Sequence, residues 1–317
     1  MLYSPAPMHI PDGFLAVVTS VALWVISIAV VAYALLRVSR DIGERQVPLM
    51  GVVAAAIFAG QMLNFTVAGG TSGHLMGAAI ATILLGPWAA ILVMTSVVSV
   101  QALIFQDGGL LVLGANIFNM AIIGVAVSYA VYTAIRRLAG ERRWGIFAGG
   151  FLAAWLSIVV AALAVALELA ISGTSPANLA IPAMGGIHAL IGVGEGLITV
   201  GALAFIYATR PDLLQAGQAR TTGGWALLAV GLVIALALAI ASPLASANPD
   251  GLEWVAEQQG FLDTAQPPSY SIIPDYVFPG ISNEALATIV AGILGVLLVL
   301  GMVLLVGYTR RRRSANS

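Results

Sequence analysis

The sequence predicts an all-α polytopic membrane protein with about nine transmembrane helices, its N-terminus outside and its C-terminus inside. Three observations carry that prediction. Sixty per cent of the 317 residues are hydrophobic and 9% are charged, with a mean hydropathy of +1.00, so the chain must bury its apolar surface in lipid. A spanning helix needs roughly 20 mostly apolar residues, and the sequence offers a series of such runs. All 13 basic residues are Arg, and their spacing between the runs sets an orientation.

The runs are at about 14–36, 48–68, 74–86, 87–105, 110–135, 145–171, 180–208, 224–245 and 284–308. The first is read as a retained helix rather than a signal peptide, because no basic residue precedes it and Arg37 follows it. With the N-terminus outside, Arg37, Arg40 and Arg45 fall inside, as do Arg136, Arg137, Arg142 and Arg143. So do Arg210 and Arg220, and Arg310 to Arg313 after the last run. Every basic residue then lies on one face, as the positive-inside rule expects. Asp12, Asp107, Asp250, Glu253, Glu257, Asp263, Asp275 and Glu284 fall outside. The stretch 74–105 is divided at Gly86-Pro87, which leaves a first part short for a crossing. The arginine parity needs that crossing. A short or broken helix is tolerated where it lines a polar cavity, and His74 opens this one.

Residues 8–215 form a seven-helix unit, 216–224 a polar inside linker, and 225–309 a two-helix hairpin around an outer loop, 246–283, rich in Pro and acids. Gly69-Gly70, Gly149-Gly150 and Gly192-x-Gly194-x-Gly196 suit close helix packing. The absence of Lys excludes a Schiff-base enzyme and a P-loop lysine. The absence of Cys excludes thiolate metal sites and Cys nucleophiles.

The chain has three histidines. His9 stands in Met8-His9-Ile10-Pro11-Asp12-Gly13-Phe14-Leu15, a polar, turn-prone stretch ahead of the first run. A His at the second position of a chain can chelate a metal through the terminal amine, its own amide nitrogen and its imidazole, which here needs a mature chain that begins at Met8. His74 falls at the same outer face. Together these give four nitrogen donors, a set that suits Ni²⁺ or Cu²⁺, and Co²⁺ less strictly; Mg²⁺ and Ca²⁺ prefer oxygen. The alternative is that both are ordinary interfacial side chains. His188 and Glu195 lie seven residues apart on one face of the seventh run. Ionisable groups there are costly, so they are either a helix–helix hydrogen-bonding pair or a polar path for ions. Glu168 is expected at the interface. Gly70-Thr71-Ser72-Gly73 has the form of a serine-nucleophile turn, with His188 as a possible base.

The octapeptide at 8–15, Gly70-Thr71-Ser72-Gly73-His74-Leu75, and His188 followed by Gly194-Glu195-Gly196 resemble the cobalt/nickel substrate-binding component of energy-coupling-factor transporters, the CbiM/NikM type. Pro249-Asp250-Gly251-Leu252-Glu253 resembles the signature of the small partner subunit of those systems, the CbiN/NikN type. The resemblance implies uptake of Co²⁺ or Ni²⁺ as a transported ligand, with no resident cofactor and no nucleic-acid partner. It implies metal ligands at Met8, His9 and His74, and a multi-pass location in a prokaryotic plasma membrane. It also implies ATP hydrolysis by two cytoplasmic ATPase subunits acting through a separate transmembrane coupling protein. The departure is the seven residues ahead of Met8, so the expected mature start is Met8. Three rival readings stand beside it: a self-sufficient proton-coupled metal transporter using His188 and Glu195, an intramembrane serine protease using Ser72, and a membrane scaffold.

Overall fold

A computed structural model of the chain describes residues 8–41, 46–214 and 224–315. The residues ahead of Met8, the greater part of the expected linker, and Arg45 and Arg220 lie outside the described residues. The protein is a multi-pass, all-α membrane protein with, among the described residues, a single small hairpin of sheet. Helix α1 (Val17–Asp41) is followed by α2 (Gln46–Gln61), the two-stranded hairpin β1 (Phe65–Thr66) and β2 (Ser72–Gly73), α3 (Ala78–Leu85) and α4 (Pro87–Val100). Next come α5 (Leu113–Asn116), α6 (Gly124–Ala139), α7 (Trp144–Ile171) and α8 (Ala177–Thr209). The C-terminal part contributes α9 (Gly224–Ala241), the short α10 (Gly251–Gln259) and α11 (Glu284–Ala315).

Among the described residues, seven helical stretches are long and apolar enough to cross a bilayer: 17–39, 87–105, 113–139, 144–171, 177–209, 226–244 and 284–307. The second and third expected runs form shorter helices. At 1.5 Å per residue, the 16 residues of α2 reach about 24 Å and the eight of α3 about 12 Å, against a hydrocarbon core of roughly 30 Å. The break expected at Gly86-Pro87 is present. Gly86 leaves the helix with φ 77° and Pro87 begins the next one, a position where its missing N–H costs nothing.

Residues 62–68, expected to continue the second helix, instead enter the β hairpin, in which Phe65 pairs with Gly73 and Thr66 with Ser72. The chain must leave the helix there to bring His74 back to the mouth of the bundle. A second departure from simple helix lies on either side of residues 106–112. Gln101–Phe105 and Ile117–Ile123 are π-helical, a local widening that often marks functional positions.

The outward faces of the helices carry apolar side chains, among them Val18, Leu138, Ile171 and Val233, as lipid contact requires. Inside, helices meet at glycine. Gly192, Gly194 and Gly196 of α8 lie against Trp155, Phe65 and Phe151. Gly231 of α9 lies against Val52 and Gly295 of α11 against Phe58, so the C-terminal helices dock closely on α2. A Cβ at 295 would stand 2.0 Å from Phe58 Cζ, whereas one at 301 would meet nothing within 4 Å. Gly295→Val is therefore expected to lower stability by about 1–3 kcal/mol through overpacking, with Gly301→Val near neutral. Thermal unfolding of the two variants in detergent checks this, and equal effects would contradict it.

The loops that the arginine pattern assigns to the outside assemble at one end of the bundle. Ser72 N–H donates to the Pro249 carbonyl at 2.8 Å, Gln266 N–H to the Asp12 carbonyl at 2.7 Å, and Gly109 N–H to the Ile10 carbonyl at 2.9 Å. Phe14 packs edge-on against Phe261, with centroids 5.1 Å apart. The loop 246–283 between α9 and α11 thus covers the segment that carries His9.

Candidate metal site

Segment 8–15 is held by the loop before α5 and by α5 itself. Asn116 is the anchor: its Oδ1 accepts from Ile10 N–H at 3.1 Å and its Nδ2 donates to the Ile10 carbonyl at 3.1 Å. Asp12 accepts the N–H groups of Leu110 and Val112 at 3.1 and 3.2 Å. Gly108 is in the left-handed region (φ 97°), and a Cβ there would stand 3.0 Å from His9 Cβ, so this turn requires glycine. His9 is consequently buried, 4% exposed.

His9 meets Asp107. Its backbone N–H donates to Asp107 Oδ1 at 3.2 Å, and its Nδ1 stands 2.9 Å from the same oxygen, out of line for a hydrogen bond. Neither ring nitrogen of His9 has a hydrogen-bond partner. Burial, the largest single effect, would lower the His9 pKa, but the charge and close contacts of Asp107 and the charge of Asp250 together outweigh it and hold the imidazole above its ordinary value. Burial, again the largest single effect, would raise the Asp107 pKa, but His9, the Tyr276 hydroxyl and His74 together hold it below the ordinary carboxylate range.

His74 arrives from the other side. Its segment is fixed by Glu195, which is fully buried and accepts the N–H groups of Met76 and Gly77 at 2.7 and 3.0 Å. Gln61 supports the same turn by donating to the Met76 carbonyl at 2.8 Å, and Gln101 donates to Gln61 at 2.7 Å. His74 Nδ1 lies 3.1 Å from the Leu75 carbonyl; as donor there, it leaves the lone pair on Nε2. Burial, with His9 adding to it, drives the His74 pKa down to about 4, so the ring is neutral and able to bind a cation.

The two imidazoles face each other with centroids 5.7 Å apart and planes at 65°. Two rings bound to one ion through nitrogens about 2.0–2.1 Å away would have centroids roughly 4.5–6.4 Å apart, so this separation fits a shared ion. Met8, His9 and His74 line a common cavity of about 90 Å³ with Met76, Met184 and His188. Among the described residues, no group of three or more His, Asp or Glu side chains is arranged to hold a metal. A metal here would need nitrogen from the backbone or the terminal amine besides the two rings.

The other expected residues separate. His188 reaches the cavity, its Nδ1 2.8 Å from the Met184 carbonyl. Glu195 does not line it, because both its oxygens are committed to backbone. Glu168, expected at the interface, is buried and accepts from Asn119 Nδ2 at 2.9 Å, since the inner face of α7 packs on the π-helical turn 117–123. Ser72 directs its hydroxyl at the carbonyls of Asn248 and Pro249, 2.8 and 3.3 Å away. Ser72→Ala removes that contact only, and metal affinity measured by titration is expected to change by less than about tenfold; total loss would contradict this.

Asp107, Asn116, Gln61 and Tyr276, whose hydroxyl donates to Asp107 Oδ2 at 2.6 Å, were not singled out from the sequence. For Gln61 and Asn116 the available signal is a polar side chain inside an apolar run, which membrane proteins keep for a reason; Asp107 and Tyr276, both in loops, carry none. The last element is the signature at 249–253. Pro249 presents its carbonyl to Ser72, Asp250 caps α10 by accepting from Glu253 N–H at 2.7 Å, and burial pushes the Asp250 carboxyl up to about 7. Gly251 is pressed against His188, where a Cβ would stand 2.9 Å from Cε1.

This architecture matches known proteins over nearly its whole length. The family model described as the cobalt uptake substrate-specific transmembrane region, CbiM, matches residues 9–213, and that of the PDGLE domain matches 225–312. A chain of Archaeoglobus fulgidus, provisionally named a fused nickel transport protein NikMN, is 41% identical over 93% of this chain and 96% of its own. The fused nickel transport protein NikMN of Rhodobacter capsulatus is 31% identical over 98% of this chain and 100% of its own. The crystal structure of a truncated transition metal transporter superposes with a TM-score of 0.57 at 33% identity, covering 63% of this chain and 98% of that one. The chain belongs to the cobalt-uptake substrate-specific transmembrane family, CbiM, and carries a PDGLE domain at its C-terminal end.

Proposed function

We propose that the protein is the substrate-capturing component of an importer for Ni²⁺ or Co²⁺, gripping the ion with His9 and His74 and, in a chain that begins at Met8, with the Met8 amine. The observation that carries this reading is the approach of the His9 and His74 rings to 5.7 Å inside a common cavity with Met8. The amine, the His9 amide, the His9 imidazole and the His74 imidazole make a nitrogen set that favours Ni²⁺ over Co²⁺. Nickel also stands in the names of the fused relatives that match both parts of this chain, so nickel is the preferred cargo. Binding would release protons, because each ligand must surrender one or already lack it.

Energy for transport is assigned to ATPase subunits acting through a separate transmembrane coupling protein. This chain has no Lys and hence no P-loop lysine of its own. The proton-coupled rival needs a relay through His188 and Glu195, and the engagement of both Glu195 oxygens by backbone N–H groups weighs against it. The protease rival needs a free Ser72 hydroxyl, which faces two carbonyls.

Uptake of radioactive Ni²⁺ into cells expressing this chain, with and without a coupling protein and ATPases of the same transporter class, tests the reading. Uptake only in their presence, suppressed by His74→Ala, is the expected result. Equal uptake without them would overturn the ATP-driven reading in favour of a self-sufficient carrier.

A further inference from the structure

We propose that Asp107 and Tyr276 are the positioning residues of the metal grip, and that Tyr276 is the contact through which the C-terminal hairpin acts on it. The inference rests on the binding reading above. Asp107 Oδ1 gathers two His9 nitrogens at once, the backbone N at 3.2 Å and Nδ1 at 2.9 Å. These are the two nitrogens that close a six-membered ring with a metal, and both can approach one oxygen only when the side chain is folded back over its own amide. Asp107 therefore holds His9 in its chelating rotamer. A cation bound by those nitrogens would lie about 2.0–2.1 Å from them, with the carboxylate beside it as a counter-charge. Partners that orient a ligand in this way belong to the working parts of a metal site.

The other carboxylate oxygen belongs to the hairpin. Tyr276 donates to Asp107 Oδ2 at 2.6 Å, the short distance expected of an O–H bound to a charged carboxylate. Its ring stacks on Phe105, with centroids 4.8 Å apart and planes at 14°. Phe105 ends the π-helical turn immediately before Gln106 and Asp107. The backbone supports the same conclusion. The non-glycine residues with positive φ among those described are Gln106 (56°), Asp275 (52°) and Tyr276 (58°). All three sit at this contact, from segments more than 160 positions apart. Left-handed backbone is disfavoured for residues with a Cβ, and it gathers where the surrounding structure enforces a functional geometry.

A purely structural pin between hairpin and bundle would show the same hydrogen bond, so the test must read the metal. Tyr276→Phe keeps the ring and its stack and removes only the hydroxyl. Ni²⁺ affinity is measured by competition with a chromophoric chelator on the purified chain beginning at Met8, together with the visible absorption of bound Ni²⁺. The variants are Tyr276→Phe, Asp107→Asn, their combination and His74→Ala, with thermal unfolding of the metal-free forms alongside. Asp107→Asn is expected to weaken binding about 10–100-fold and to shift the absorption band, as removal of ligand-orienting partners does. Tyr276→Phe should weaken it about tenfold, and the double variant no more than Asp107→Asn alone, because Tyr276 acts through Asp107. Unchanged Ni²⁺ affinity in Tyr276→Phe, or losses that multiply in the double variant, would overturn the proposal while leaving the binding reading intact. Ni²⁺ binding that survives His74→Ala would overturn both.

Discussion

His74→Ala is expected to weaken Ni²⁺ binding more than about 100-fold, beyond the 10–100-fold typical of residues that only orient a ligand. The reason is positional. His74 supplies the second of two imidazoles that face each other at 5.7 Å, and its low pKa, about 4, keeps that ring neutral and free to bind across the ordinary pH range. Among the described residues, no group of three His, Asp and Glu side chains is arranged to hold the ion without it. The fold should survive, because the His74 backbone is held by its neighbours rather than by the ring. Isothermal titration with Ni²⁺, paired with an unfolding curve of the metal-free variant, reads both halves of the expectation. Retained affinity would mean that the ion is held elsewhere.

Glu195→Ala carries the largest expected stability effect. Its two oxygens satisfy the buried N–H groups of Met76 and Gly77, and stranding a buried donor costs about 1–3 kcal/mol each, so a loss of about 2–6 kcal/mol follows. The turn has little freedom to find other partners. Gly77 has φ 82°, and a Cβ there would stand 2.8 Å from Ile57. Because the same turn carries His74, Ni²⁺ affinity should fall along with the unfolding temperature. Glu195→Gln, which keeps one acceptor oxygen but turns an NH₂ group toward the second donor, is expected to lie between wild type and Ala in both measurements. An Ala variant as stable as wild type would show that the turn does not depend on this carboxylate.

Much of the architecture was legible in the sequence because bilayer thickness imposes a length scale on apolar runs. The break at Gly86-Pro87 and the two long apolar helices near the C-terminus follow from that scale and from two residue types. The meeting of His9 and His74 was only half legible. The arginine pattern put them on one face, but their approach depends on Asn116 gripping Ile10 and on Glu195 gripping the turn after His74. Those are contacts between residues about 106 and 119 positions apart, which no local pattern reveals. The β hairpin escaped for a related reason. Residues 62–68 are apolar enough to continue a helix, and what ends it is the pairing with Ser72-Gly73. Glu195 was read with His188 from helical spacing. Spacing gives a shared face, whereas what each side chain meets there differs: a cavity for His188 and two backbone amides for Glu195. Asp107 and Tyr276 were the least visible of all, since an acidic residue in a loop and a tyrosine in a Pro-rich loop are both unremarkable until they are brought to 2.6 Å.

A calorimetric Ni²⁺ titration of the purified protein in two forms, one beginning at Met1 and one at Met8, each with its His74→Ala counterpart, decides whether Met8, His9 and His74 hold the ion. Tight binding is expected in the form that begins at Met8, much weaker binding in the form that begins at Met1, and loss of binding from both without His74. Equal affinity in all four proteins would contradict this, and would move the ion away from Met8, His9 and His74 altogether.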